Sequence, residues 1–183
     1  MKFIELTPQV LLFIILGVIL GCTKDDLKKG DGYATPSFGS KEWKFESNFG
    51  QGGRPNSIYI KLTHYNDNGL LNVIEIVNIP KSNDTTFLTH FKEVPNMPID
   101  TFQAYFFVQI DEDALGEGYV VDTSNLNLKS YVVLEEINNR KVTGSFHINF
   151  VLSPDINTNF PKFDETIPDT FNISNGRFSA EKF

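Results

Sequence analysis

The sequence predicts an all-β domain of antiparallel strands, an antiparallel β-sandwich, with a calycin-like or other closed β-barrel as the alternative. Three observations predict this class. Apolar and polar residues alternate with a period of two, turn residues separate these segments roughly every 8 to 12 residues, and no segment beyond the amino-terminal region has a helical period. The 183 residues, 40% of them hydrophobic, suffice for one packed domain.

The amino-terminal segment predicts export from the cell. Residues 10–20 read VLLFIILGVIL, a stretch without a polar or charged side chain. A transmembrane helix needs roughly 20 apolar residues, whereas a secretory signal has an apolar region of about 7 to 15 followed by a small residue, here Gly21. An uncleaved signal anchor, or a cysteine buried in an apolar segment, is the alternative.

Residues 19–22, Ile-Leu-Gly-Cys, resemble the lipobox of bacterial lipoproteins, which is cleaved before a cysteine that carries lipid. The resemblance implies that Cys22 is the acylated first residue of the mature protein and that its fatty chains hold the protein to a membrane. Residues 24–26, Lys-Asp-Asp, resemble the acidic export signal of Bacteroidetes surface lipoproteins. They imply an outer-membrane, cell-surface location, with the periplasmic face as the alternative.

The chain is therefore divided into three parts. Residues 1–21 are the predicted lipoprotein signal peptide, residues 22–40 a flexible tether after the lipidated cysteine, and residues 41–183 the antiparallel β domain. The tether is predicted from its charges and glycines, because such a segment cannot bury enough apolar surface to fold by itself.

Alternation of apolar and polar residues places the strands of the domain. Asn-Asp-Asn-Gly at residues 66–69 is typical of a hairpin turn. The clearest predicted hairpin joins residues 127–137 to residues 142–152. The predicted strands cover residues 43–49, 57–65, 70–79, 103–110, 118–122, 127–137 and 142–152, with a short strand at 85–91 and a final pair at 171–174 and 177–183.

Three of these segments carry a family resemblance. Trp43 in an early strand, Lys-Val-Thr-Gly-Ser-Phe at residues 141–146 and Asn-Gly-Arg-Phe at residues 175–178 resemble a family of small Bacteroidetes lipoproteins classed as a domain of unknown function. The motifs are strand and turn residues. The resemblance therefore implies a fold and a location but no reaction.

Composition excludes several classes of function. The net charge of −7 and the scattered Lys and Arg residues disfavour nucleic acid as a partner, and a single cysteine excludes an internal disulfide. The three histidines lack metal-ligand spacing, and neither a nucleophile elbow nor a phosphate-binding loop is present. No enzyme, no cofactor and no metal site is predicted. Among the acidic residues, Asp111, Asp113 and Glu117 leave a calcium site open, but an acidic turn between strands is favoured.

Aromatic residues define the candidate binding face. The strand parity places Tyr59, Tyr65, Tyr105 and Phe107 opposite the aliphatic faces of their strands. If these strands are neighbours, flat rings beside hydrogen-bonding groups suit a sugar or another flat amphipathic ligand. The favoured alternative is that a loop carrying Phe160 and Phe163 buries this face.

A weaker local signal lies in the loose passage after Pro80, at the start of the short strand predicted there. Asp-Thr-Thr at residues 84–86 resembles the acceptor sequence of Bacteroidetes O-glycosylation, which implies Thr85 as the modified residue. Together these features predict an envelope-anchored lipoprotein that acts as a non-catalytic binding or accessory module, with a glycan as the leading ligand. The alternative is a structural subunit docked on an outer-membrane protein complex.

Overall fold

The computed structural model describes residues 30–39, 41–89, 102–111, 114–124, 127–154 and 162–183. It confirms the all-β prediction, because the described residues form ten strands and no helix. The strands are β1 (Asp31–Pro36), β2 (Trp43–Gln51), β3 (Ser57–Tyr65), β4 (Leu71–Pro80), β5 (Thr85–Phe87), β6 (Gln103–Asp111), β7 (Ala114–Val121), β8 (Tyr131–Ile137), β9 (Lys141–Leu152) and β10 (Thr170–Lys182).

The strands form one sheet that curves until it closes. The strand order is β1-β10-β2-β3-β4-β6-β7-β9-β8-β5, and an additional pairing of β9 with β10 completes a ring. All pairings are antiparallel except a short parallel contact between the end of β10 and β2. This ring-like arrangement is consistent with both the sandwich and the barrel that the sequence left open.

The interior of the ring is packed with the residues that strand parity predicted. On β3, Ile58, Ile60 and Leu62 are almost fully buried. Aromatic rings fill the centre, where the ring centroid of Phe106 lies 5.2 to 5.9 Å from those of four neighbouring rings, Trp43, Tyr119, Phe150 and Phe171. Burial of such rings contributes about 1.5 to 3 kcal/mol per side chain, so this cluster is a substantial part of the stability of the fold.

Residues 31–36, which the sequence analysis assigned to the tether, form the strand β1. This strand pairs with both β10 and β2, and Ala34 is fully buried. Alternation did not reveal β1, since its buried positions hold the small residues Gly32, Ala34 and Pro36 rather than large apolar ones. Gly32 is needed there because an added Cβ would lie 3.0 Å from the carbonyl oxygen of Arg177.

The predicted final strand pair is instead one continuous strand, β10. The register against β9 shifts between Ile173 and Gly176, which marks a β-bulge and not a turn. Asn175 takes the left-handed backbone conformation there, with a φ of 53°. Gly176 packs directly against the ring of Phe146, so the Asn-Gly pair serves close packing within the strand.

The predicted signal peptide and Cys22 lie outside the described residues. Among the described residues, no helix is long and apolar enough to cross a membrane.

Candidate functional site

The aromatic face predicted from the sequence lies on the outside of the ring. The strands β3 and β6 are not direct neighbours, because β4 lies between them. Glu75 of β4 is the register partner of Tyr105, and its carboxylate accepts a hydrogen bond of 2.6 Å from the hydroxyl of Tyr59. The two tyrosines therefore flank one carboxylate on a single face.

The rings of this face are partly covered by one another. Tyr105 stacks on Phe107 with a centroid separation of 5.8 Å and an interplanar angle of 9°, and its hydroxyl donates to the side-chain oxygen of Gln103. Tyr59 stacks on the carboxy-terminal Phe183 at 6.4 Å. Both tyrosines are half-buried. Both rings are thus partly accessible, and within the described residues their coverage comes from neighbouring aromatic rings.

Neither Tyr65 nor Phe163 makes a ring contact with the described aromatic residues of this face. Tyr65 is 64% exposed at the end of β3. Phe163 instead lies beside Gly116, where an added Cβ would be 3.3 Å from its ring, and Phe160 lies outside the described residues.

The environment of the two tyrosines keeps their hydroxyls protonated. Burial raises the pKa of Tyr59 well above its usual range, and the hydrogen bond to Glu75 and the charge of that carboxylate add to the effect. Burial also raises the pKa of Tyr105, again with a contribution from Glu75. Each hydroxyl therefore remains a hydrogen-bond donor at neutral pH.

Thr85 is exposed, as an acceptor of O-linked sugar has to be, but it lies in β5 and not in a loop. Its register partner is Val133 of β8.

Glu117 corrects the expectation of a solvated acidic turn. It belongs to β7, is 1% exposed, and accepts hydrogen bonds from the Tyr119 hydroxyl and from the backbone N–H groups of Phe163 and Asp164. Asp113 and the side chain of Asp111 lie outside what the structure describes. Within the described residues, no three His, Cys, Asp or Glu side chains are grouped as a metal site would need.

A second site, missed by the sequence analysis, lies at one end of the ring. It is a pocket of about 560 Å³ at the start of β2 and β4 and the end of β3, and we call it the end pocket. Its lining residues are Phe38, Gly39, Lys41, Glu42, Trp43, His64, Asn66, Asp67, Asn68, Asn72, Asp164, Thr166 and Ile167.

Trp43 and His64 form one aromatic wall of the end pocket. The indole of Trp43 is stacked between His64, at 5.4 Å, and Phe106, at 5.9 Å. The Nδ1 atom of His64 lies 2.9 Å from the backbone carbonyl oxygen of Lys44. A carbonyl only accepts, so Nδ1 carries the hydrogen and Nε2 of the neutral ring is an acceptor.

A polar network holds the opposite wall in place. Asn66, in the β3–β4 turn, donates to the carboxylate of Asp164 at 3.1 Å, although the two residues are 98 positions apart. The backbone N–H of Thr166 donates to the same carboxylate at 3.0 Å, and so does the Thr166 hydroxyl. At the rim, Lys41 and Asp67 form an exposed ion pair of 2.8 Å.

Asn72 is the unusual residue of the end pocket. It is 1% exposed, yet neither its Oδ1 nor its Nδ2 atom has a hydrogen-bond partner among the described residues. Its position had a signal in the sequence, because Asn72 has the parity of the inward-facing Ile74 and Ile76 in the same strand. A polar residue at an inward, otherwise apolar position of a strand indicates a polar site within the fold.

The fold and the end pocket define an all-β protein with a ring-like sheet and a polar-lined opening at one end. Comparison of the chain with protein-family models, with curated proteins and with solved structures found no match in any of the three.

Proposed function

We propose that this protein is an envelope lipoprotein, held in the outer membrane through lipid on Cys22, and that it acts as a non-catalytic binding or accessory module. The lipobox-like residues 19–22 and the short apolar segment before them support the anchor. The acidic residues after Cys22 support a location on the cell surface, and a location on the periplasmic face is the alternative.

The leading ligand is a glycan bound on the outer aromatic face. The single observation that carries this proposal is the position of Glu75 between Tyr59 and Tyr105. Aromatic rings pack against the apolar faces of sugars, and a carboxylate with two oxygens accepts hydrogen bonds from sugar hydroxyls beyond the one from Tyr59. Lys61, the register partner of Glu75 on β3, adds a donor at the edge.

Titration calorimetry with neutral oligosaccharides of cellulose, xylan and mannan tests the ligand. We expect one of these series to bind, and Tyr105→Ala to weaken that binding at least about tenfold, because the Tyr105 ring is lost and Phe107 loses the ring that stacks on it. Phe87→Ala is the matched control, since Phe87 is a 50% exposed aromatic on β5, away from this face. Silence across the three series, or equal binding by Tyr105→Ala, contradicts the glycan proposal.

The anchor is tested separately by mass spectrometry of the mature protein. We expect an amino-terminal peptide that starts at Cys22 and carries fatty acyl chains, and we expect Cys22→Ser to leave the precursor uncleaved. Digestion of intact cells by an added protease then distinguishes the two locations, because only a protein on the cell surface is accessible to it. An unmodified thiol at position 22 contradicts the proposal.

The second candidate is a structural subunit docked on an outer-membrane protein complex. One observation favours it: within the part of the chain that the structure describes, β5 pairs with β8 alone and leaves its other edge unpaired, and it carries the exposed Phe87. Stable protein partners recovered after crosslinking in cells, and lost when the exposed Phe87 is replaced by proline, support this role over glycan binding.

A further inference from the structure

We propose that the end pocket binds a small neutral ligand that presents a hydrogen-bond donor and an acceptor side by side, as a carboxamide or a lactam does. This site is separate from the outer aromatic face, and the inference does not depend on the glycan proposal. It rests on three properties of the pocket: an unpaired amide, an aromatic wall and an excess of negative charge.

The unpaired amide is Asn72. A buried carboxamide that makes no hydrogen bond costs free energy, because its oxygen and nitrogen lose their bonds to water and gain none in return. The described residues supply neither atom with a partner, although the amide is 1% exposed and lines a pocket of about 560 Å³. An occupant that bonds both atoms removes this cost. The protein thus pre-organises one donor and one acceptor for a ligand.

The geometry of an amide selects the class of ligand. The Oδ1 atom of Asn72 accepts and its Nδ2 atom donates, and both lie in one plane on one side chain. A group that bonds both atoms at once must itself present a donor next to an acceptor. Primary carboxamides and lactams do this with a flat group that fits against a ring.

The walls of the end pocket suit the rest of such a ligand. Trp43 is 9% exposed and belongs to the hydrophobic core, while Phe38 packs edge-on against it with centroids 5.5 Å apart. Ile167, on the facing loop, is buried as well. His64, whose Nε2 is an acceptor when the ring is neutral, adds one polar contact beside the indole. The pocket therefore combines apolar walls with a few convergent polar groups, as small-molecule sites do.

The charges that line the pocket disfavour an anion. Glu42, Asp67 and Asp164 are acidic, whereas Lys41 is the only Lys or Arg among the lining residues named above. The Lys41 ammonium is itself paired with Asp67 at 2.8 Å. A carboxylate or phosphate ligand would be repelled by this excess of negative charge, and the lining lysine is already paired with Asp67. A neutral ligand is therefore favoured.

Trp43 is the only tryptophan of the chain, and its fluorescence therefore reports directly on the end pocket. We would titrate the protein with benzamide and with 2-pyrrolidinone as probes, and with benzoate as the matched anion. The expected result is a saturable change in tryptophan emission with the two amides and at least about tenfold weaker binding of benzoate, because only the amide both donates and accepts.

Asn72→Leu is the decisive variant. It keeps the branched shape of the side chain but removes the donor and the acceptor, so we expect amide binding to weaken at least about tenfold while the fold persists. Tyr105→Ala, on the outer face, should leave the amide titration unchanged. That control separates a failure of this inference from a failure of the glycan proposal.

A measurement on the unmodified protein makes the test independent of how the variant folds. In ¹⁵N-labelled protein, the side-chain NH₂ signals of Asn72 should shift on addition of benzamide, and less on addition of benzoate. Saturable amide binding with a shift at Asn72 supports the inference. No saturable response to either amide, equal binding of benzoate, or unchanged binding by folded Asn72→Leu would overturn it.

Discussion

Asn72 of β4 is the register partner of His64 of β3, and both side chains line the pocket at the end of the ring. The pairing sets an amide with no partner among the described residues next to an imidazole whose Nδ1 is already bonded to the backbone. Two polar side chains thus occupy inward positions that apolar residues hold elsewhere in the same strands. This arrangement lowers the stability of the fold and has consequences that can be measured.

Replacing Asn72 with leucine should stabilise the protein. The change removes the cost of an unpaired buried amide and adds apolar contact, so we expect the free energy of unfolding to rise by about 1 kcal/mol. Urea denaturation followed by circular dichroism measures it. The matched control is Asn149→Leu, because the buried Asn149 amide donates to Leu128 O and Ser130 Oγ at 3.3 Å. That variant should lose about 2 kcal/mol, and a loss of similar size in Asn72→Leu would contradict the prediction.

Gly144, in the motif that carries the family resemblance, should tolerate no side chain. An added Cβ would meet the carbonyl oxygen of Val133 and lie 2.8 Å from the ring of Phe178. We expect Gly144→Ala to lower the free energy of unfolding by about 2 to 3 kcal/mol, since the backbone of β8 has to move. Gly50→Ala is the control, because its Cβ would lie 3.5 Å from the Phe183 ring, an ordinary contact. Equal midpoints for the two variants in thermal unfolding would refute this explanation.

Glu117 should hold the segment before β10 against β7. Replacing it with glutamine presents an N–H₂ group where the backbone N–H groups of Phe163 and Asp164 and the Tyr119 hydroxyl need an acceptor. We expect a loss of about 2 kcal/mol of stability and faster cleavage near residue 163 in limited proteolysis. Glu136→Gln is the control, because that side chain is about half exposed. Unchanged protection from proteolysis in Glu117→Gln would count against this role.

The tyrosines of the outer face should lower the free energy of unfolding at high pH. The folded protein raises the pKa of Tyr59 and of Tyr105 above the usual 10.0, so the unfolded chain loses these protons first. Stability is therefore retained below about pH 10 and decreases as the pH rises beyond it. Urea midpoints measured between about pH 8 and 11, a range that includes the ordinary tyrosine pKa of 10.0, test whether stability decreases as the pH rises.

Phenylalanine variants assign that dependence to residues. Tyr59→Phe should flatten the decrease of stability above pH 10 more than Tyr65→Phe, because Tyr65 is 64% exposed. The absorbance of ionised tyrosine near 295 nm should also lose a late-titrating component in Tyr59→Phe. The same slope in both variants would show that burial of Tyr59 does not control the effect.

Strand parity predicted much of the fold because most strands bury one face. In β3 and β9 the alternating large residues enter the core, as the sequence predicted. The same reasoning missed β1, whose inward positions hold Gly32, Ala34 and Pro36, and it divided β10 at Asn175. Small residues give no hydrophobic period, and an Asn-Gly pair in a bulge has the composition of one in a turn.

The candidate sites show the same limit of local reasoning. Tyr59 and Tyr105 do share one face, as predicted. Because β4 lies between their strands, Glu75 lies between the two tyrosines, and the positions of the aromatic residues in the sequence did not indicate this. Glu117 lies inside and not in a solvated turn, because the segment at Phe163 and Asp164, far along the chain, covers it.

By itself, the sequence determined the all-β class and the inward or outward direction of most strand residues, because alternation is a local property of a half-buried strand. Only the tertiary structure decided that Trp43, His64, Asn72 and Asp164 line one pocket. Closure of the ring through the pairing of β9 with β10 brings the ends of distant strands together, and no local pattern encodes which ends will meet.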